Sequence, residues 1–191
     1  MAPKTSEQFE EIRETRKQQI MDAALQMFAN KGYDSTSISA IATKAGISKG
    51  LLYNYFSSKE DLMIQITEKG FVDMLNSFDL NKDGVLTSEE FIYFINKVFD
   101  LMESKLTFYK LYFSLILQPS VWKLFEVKFA DVIGSIMNTL TEYYKRKGST
   151  DPEAEAMMVG SLLDGVGFNY ILNPELYPLE RIKKMIIERF V

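Results

Sequence analysis

The chain has neither histidine nor cysteine among its 191 residues. Without cysteine there can be no disulfide, thiolate zinc site or cysteine nucleophile. Without histidine, Ser-His-Asp triads, imidazole metal ligands and the commonest general base are gone as well. Carboxylates or lysine could still serve an enzyme, but no phosphate-binding glycine loop accompanies them, and the expectation is a non-enzyme. No stretch approaches ~18 uncharged apolar residues, so neither a membrane span nor a membrane partner is expected. Residues 1–9 lack an apolar secretory core and a small-residue cleavage site, which points to a cytoplasmic protein.

What is present is a chain rich enough in apolar residues to build a core, at 47% hydrophobic and 25% charged. Its net charge of -4 is unevenly spread: residues 1–59 carry eight Lys/Arg against six Asp/Glu, and the rest fourteen against twenty. A slightly basic first part and an acidic remainder imply different partners.

Five prolines and ten glycines break the sequence into segments that read as helices, with no sustained β alternation. The expected helices cover residues 7–29, 38–45, 49–55, 59–78, 88–102, 105–117, 118–147, 152–172 and 179–190. An apolar stripe of Phe9, Ile12, Ile20, Ala24, Met27 and Phe28 runs along the first, which stops at Gly32. Ser48 is a cap candidate for the third. The fold class is therefore all-α, with about nine helices.

Ile38 to Tyr53 has the layout of a helix-turn-helix. Ile38, Ile41, Ala42, Ile47 and Leu52 can form its inner face, and Gly46 falls where the turn needs positive φ. Such a second helix sets its N-terminal residues against base edges in the major groove.

The run from Arg16 to Leu62 closely resembles the N-terminal domain of the tetracycline-repressor (TetR) family of bacterial regulators. The resemblance is carried by Ile20, Ala23-Ala24, Phe28, Gly32-Tyr33, Thr36, Ile41-Ala42, Ala45-Gly46-Ile47-Ser48, Gly50, Leu52-Tyr53, Tyr55-Phe56 and Ser58-Lys59-Glu60. It covers about the first third of the chain. Beyond that only the architecture is similar. It implies a three-helix DNA-binding domain at 1–59 and a helical effector-binding and dimerisation domain at 60–191. It also implies that Ser37, Ser39, Tyr53, Tyr55 and Lys59 hold phosphates, which position the protein without reading sequence. Lys49, Leu51 and Asn54 become candidates for guanine, a thymine methyl and adenine, with Ser48 beside them and Gly50 allowing close approach. A second reading of Tyr33, Tyr55 and Phe56 is that they pack the small domain.

The acidic remainder holds most of the aromatic and Met residues. Tyr109, Tyr112, Trp122 and Phe168 are candidate contacts for an unidentified small apolar or aromatic effector. Aromatic stripes at helical spacing also serve as ordinary core. Gly160, Ser161, Gly165 and Gly167, together with the stripe Leu179, Ile182, Met185, Ile186 and Phe190, suit close helix packing. The resemblance makes these last two helices a homodimer interface and the partner a double-stranded, palindromic operator. No cofactor is required by this reading.

One motif stands outside the resemblance. Asp79 to Glu90 matches the EF-hand loop at every defined position. Asp79, Asn81 and Asp83 sit at positions 1, 3 and 5, Gly84 at 6, the Val85 carbonyl at 7, Thr87 at 9 and Glu90 at 12, which makes Ca2+ a candidate ion. Such loops come in pairs, and no second one is present. A metal-free alternative is a capping box in which Thr87 starts the next helix and Glu90 reaches back. Two functions follow: a ligand-responsive repressor acting as a homodimer, or a calcium sensor whose loop modulates DNA or protein-partner binding.

Overall fold

A computed structural model describes residues 6–76, 78–116 and 119–191, excluding the side chains of residues 6, 71–76, 116 and 119–125. Among the described residues the regular structure is entirely helical: α1 (Ser6–Lys31), α2 (Ile38–Lys44), α3 (Lys49–Tyr53), α4 (Lys59–Asn76), α5 (Ser88–Ser104), α6 (Leu106–Ile116), α7 (Pro119–Arg146), α8 (Pro152–Leu172) and α9 (Leu179–Phe190). Two compact units divide at Lys69 and Gly70, so α4 begins in one and ends in the other. No helix among the described residues is long and apolar enough to cross a membrane.

The first unit closes around Ile20, Ala24, Phe28, Ile41, Leu52 and Phe56, each at most 1% exposed. Burying a side chain of that size contributes roughly 1.5–3 kcal/mol. Ala42, 2% exposed, leaves room for α2 and α3 to meet. Between them Gly46 adopts φ +67°, and the Ile47 amide returns to the Ala42 carbonyl at 3.0 Å. That reversal in so few residues needs the left-handed backbone glycine accepts at little cost. Only the second half of α1 joins this core. Phe9 and Ile12, on the apolar stripe, are 60% and 44% exposed. The segment around them is crowded with Glu7, Glu10, Glu11, Arg13, Glu14 and Arg16, which favour water over a core.

The second unit is built on the apolar face of α5. Phe91, Ile95, Phe99 and Met102 are at most 2% exposed. α7 packs along α8, while α6 lies against both and α9 rests on α5. Helix α8 comes close enough to α6 that a Cβ on Gly167 would sit 3.3 Å from the Phe113 ring. A Cβ on Gly70, in α4, would overlap the Phe108 ring outright. The end of α7 holds the end of the chain: Tyr143 and Tyr144 hydroxyls donate to the Val191 and Phe190 carbonyls, both at 2.8 Å.

Candidate nucleic-acid interface

Two serines set the helix starts of the interface. Ser37 Oγ accepts the Ala40 amide at 3.2 Å and Ser48 Oγ accepts the Leu51 amide at 3.1 Å. Each cap contributes about 1 kcal/mol and leaves its hydroxyl proton free to donate elsewhere. The five residues of α3 then divide sharply. Leu52 is fully buried, while Lys49, Gly50, Leu51 and Tyr53 are exposed, with Ser48 and Asn54 exposed at either end. Leu51 and Tyr53 expose 38% and 47% of their surface, an unfavourable display for apolar groups without a partner. Ser37 and Ser39 are exposed around the start of α2, and Tyr55 is half-buried. Tyr33 and Phe56 are core, at 6% and 1% exposure.

Lys59 is less free than its position implied. Its ammonium donates to the Tyr33 carbonyl at 3.0 Å and the Thr36 carbonyl at 3.3 Å, and lies 4.2 Å from the Tyr33 ring centre. These contacts pin the α1–α2 connection to the start of α4. An ammonium has three protons, so a phosphate could take the one these carbonyls leave. Nothing in the sequence signals the clamp, because it depends on two carbonyls more than twenty residues away.

In the second unit, Tyr109 is buried and Tyr112 half-buried on α6, and burial pushes both hydroxyls up, with the Asp164 charge adding to it. Phe168 is 42% exposed yet meets Phe113 with ring centres 5.7 Å apart. The structure thus gathers Tyr109, Tyr112 and Phe168 about the α6–α8 contact. The Trp122 side chain lies outside the described residues. Asp164 joins this group and was missed in the sequence. Its side chain is exposed by area, yet the surrounding protein desolvates the carboxyl and pushes its pKa up, as for a group set in a recess. It is the single acid between Glu155 and Glu175, which was signal enough.

The small residues of α8 part company. Added Cβ atoms at Gly160 and Gly165 would meet nothing, whereas Gly167 faces inward. Met157, Met158 and Leu172 on α8 expose 63%, 49% and 67%, and Met185 on α9 exposes 41%.

The acidic loop closes on its own hydrogen bonds. Among the described residues, no three carboxylates, histidines or cysteines converge closely enough to hold a metal. Glu90 instead closes the capping box: its Oε2 accepts from the Thr87 amide at 3.0 Å and hydroxyl at 2.9 Å, while Thr87 Oγ1 accepts the Glu90 amide at 3.2 Å. Asn81 and Asp83 are exposed and hydrogen-bonded to each other, and the Val85 amide donates to Asp83.

The helix-turn-helix geometry agrees with comparison against known proteins. Residues 20–66 match the family described as bacterial regulatory proteins, tetR family. The fatty acid metabolism regulator protein of Bacillus subtilis (strain 168) is 25% identical over 181 residues, 91% of this chain and 92% of that protein. The first unit thus matches the DNA-binding domain of TetR-family regulators, and the chain as a whole is similar to one such regulator. A TetR-like fold extends well beyond those residues. The fatty acid degradation regulator FadR from Bacillus halodurans superposes with TM-score 0.75 at 24% identity, covering 92% of this chain and 94% of that one. The regulator FadR from Bacillus subtilis, in a structure with stearoyl-CoA, gives 0.74 at 22% identity, covering 91% and 97%. The proteins to which this chain is similar are named as transcriptional regulators.

Proposed function

We propose that the chain is a repressor that binds a palindromic operator as a homodimer and releases it when a small apolar effector binds the second unit. The observation that carries this is α3: a capped helix anchored by Leu52 that exposes Lys49, Leu51, Tyr53 and Asn54 together. Lys49 and Asn54 have the donors to read guanine and adenine edges, and Leu51 can meet a thymine methyl. Ser37, Ser39, Ser48, Tyr53, Tyr55 and the remaining proton of Lys59 would meet phosphates, with Gly50 allowing close approach.

Homodimerisation is supported by the exposed Met157, Met158, Leu172 and Met185 together with the unfilled space beside Gly160 and Gly165. Apolar surface with small residues between is what a second pair of helices would cover. Two copies would present two recognition helices, and a two-fold protein calls for half-sites about one DNA turn apart. An effector that favours a different helix spacing then lowers operator affinity by its differential affinity for the two states.

For the effector, Tyr109, Tyr112, Phe168 and Trp122 are the candidate contacts. A long-chain acyl thioester is the first compound to try, because a full-length relative is a fatty acid metabolism regulator and a protein of the same fold was solved with stearoyl-CoA. The test is a footprint on DNA selected from random sequence, followed by titration with stearoyl-CoA. A two-fold symmetric footprint released by micromolar thioester, and lost in Lys49→Ala, supports the reading. Selection of no common sequence would overturn operator reading. Unchanged binding at saturating thioester would overturn this choice of effector.

A further inference from the structure

The loop between α4 and α5 carries a ligand pattern that operator reading does not use, and one of its oxygens has no partner. Asp79 Oδ2 accepts the Gly84 amide at 2.9 Å. Its sister Oδ1 has an accessible area below 1 Å2 and accepts no hydrogen bond. An oxygen withdrawn from water without a donor costs about 1–3 kcal/mol, and more when it belongs to a charged group. Several other side-chain oxygens of the loop accept hydrogen bonds within it. Asn81 Oδ1 takes the Asp83 amide at 3.0 Å, Asp83 Oδ1 the Val85 amide at 2.8 Å, and Glu90 Oε2 the Thr87 amide and hydroxyl. The orphan therefore sits at the first ligand position of a loop whose positions 1, 3, 5, 7, 9 and 12 all carry oxygen donors.

The loop is held in place from both sides. Gly84 takes φ +77°, which folds the chain back over Asp79. Leu86 turns inward to 1% exposure and Phe78 to 4%, so both ends of the loop are anchored in the core. The Leu86 carbonyl is taken by Arg146 at 2.8 Å. EF-hand loops come in pairs, and here Arg146 occupies a backbone acceptor that this chain's single loop would otherwise leave open.

From this orphan oxygen and the ligand spacing we infer that residues 79–90 form a divalent cation site selective for Ca2+, with Asp79 Oδ1 as its first ligand and Glu90 as its closing arm. Asp79, Asp83 and Glu90 supply three negative charges, the Val85 carbonyl and Asn81 supply neutral oxygens, and Thr87 reaches the ion through water. Many oxygens in a flexible ring, closed by a bidentate glutamate, suit Ca2+ over the smaller Mg2+ with its rigid octahedron. Glu90 reaches the ion by exchanging its hydrogen bonds to Thr87 for the metal. Closure thus acts on the first turn of α5. It also acts on α7 and the chain end, through Ser88 against the Tyr143 hydroxyl at 3.1 Å and Tyr143 on Val191. The site stands whether or not the chain reads a palindromic operator.

The test is calorimetric titration of Ca2+ into the chelator-stripped full chain, repeated on Asp79→Asn and Glu90→Gln, with Mg2+ as the competing ion. Asp79→Asn keeps an oxygen for the Gly84 amide and Glu90→Gln keeps one for the cap, so both variants should melt close to the parent. The expected result is saturable uptake of about one ion per chain within the ~10⁻⁷–10⁻³ M range of such loops, weakened at least ~10-fold in each variant. No uptake by the parent at millimolar Ca2+ overturns the site. Uptake that Asp79→Asn leaves unchanged overturns it equally, since the ion would then be held by general negative charge. Should Glu90→Gln melt early, Asp79→Asn alone decides.

Discussion

In α3, five residues serve two surfaces at once: Leu52 is sealed in the core while Lys49, Leu51 and Tyr53 stand in solvent. In α8 the same division is spread over 21 residues, with Ala156, Val159 and Val166 inward and Met157, Met158 and Leu172 outward. The contrast explains why residues 20–66 match a family profile while the rest is alike mainly in architecture. A helix that must meet a duplex of fixed geometry leaves few residue choices. A helix that lines an apolar interior accepts many side chains of suitable volume.

The largest way to break this comparison is Leu52→Ala. Truncating a fully buried leucine typically costs 2–5 kcal/mol, on the order of what a small unit has to lose. Scanning calorimetry should show an early transition for residues 1–69 and an unmoved one for residues 70–191, with operator binding lost. A single transition displaced as a whole would mean that the units do not melt independently.

A finer comparison uses the related caps that begin α4 and α5. At the start of α4, Ser58 Oγ accepts the Asp61 amide at 3.0 Å, and Asp61 Oδ2 accepts the Ser57 amide at 2.7 Å. At the start of α5 the exchange is fully reciprocal, between Thr87 and Glu90 alone. Thr87→Ala and Asp61→Ala should each cost about 1 kcal/mol, read as a loss of a few degrees in Tm. Only the first cap lies in the unit that reads DNA, so Asp61→Ala should also weaken operator binding. The Asp61 cap also responds to pH. Burial works against ionisation of Asp61, but the bonds from Gln65 and Ser57 and the charge of Lys17 outweigh it and hold its pKa below the usual carboxylate range. A depressed folded pKa means the contribution is complete above the unfolded value, near ~4, and disappears as pH falls through the folded one. The gap between parent and Asp61→Ala should therefore close in acid.

How much of this was legible in the sequence depends on the range of the interaction. Helix ends were readable where a local signal marks them: Pro152 and Pro178 bound α8 and α9, and Gly32 and Gly46 lie where the first unit turns. The exposed face of α3 was readable for the same reason. The apolar stripe on the first half of α1 stays exposed, because periodicity says which face is apolar, not whether another element covers it. The loop at 79–90 was legible as a pattern, but ligation and capping use the same Thr87 and Glu90, and no spacing rule separates them. Lys59 on the Tyr33 and Thr36 carbonyls and Tyr143 on Val191 depend on contacts between distant segments, and these were invisible.

The smallest expected effect sharpens the comparison from the other side. Asp164 breaks an otherwise uncharged stretch of α8, and desolvation raises its pKa. The sign is opposite to that of Asp61. A carboxyl whose folded pKa lies above its unfolded one stabilises the fold when protonated, and burdens it once pH rises past the folded value. Asp164→Asn removes the charge while keeping size and polarity. It should raise Tm slightly at neutral pH, since solvent screens much of the penalty at an exposed side chain, and by less as pH falls toward the carboxylate range. A side chain kept for stability alone would not carry that burden beside Tyr109 and Tyr112. If effector affinity falls in Asp164→Asn while Tm rises, the carboxylate is held there for the ligand, and the second unit has one position as constrained as those of α3. If affinity is unchanged, tolerance extends even to a desolvated charge, and the contrast between the two units is complete.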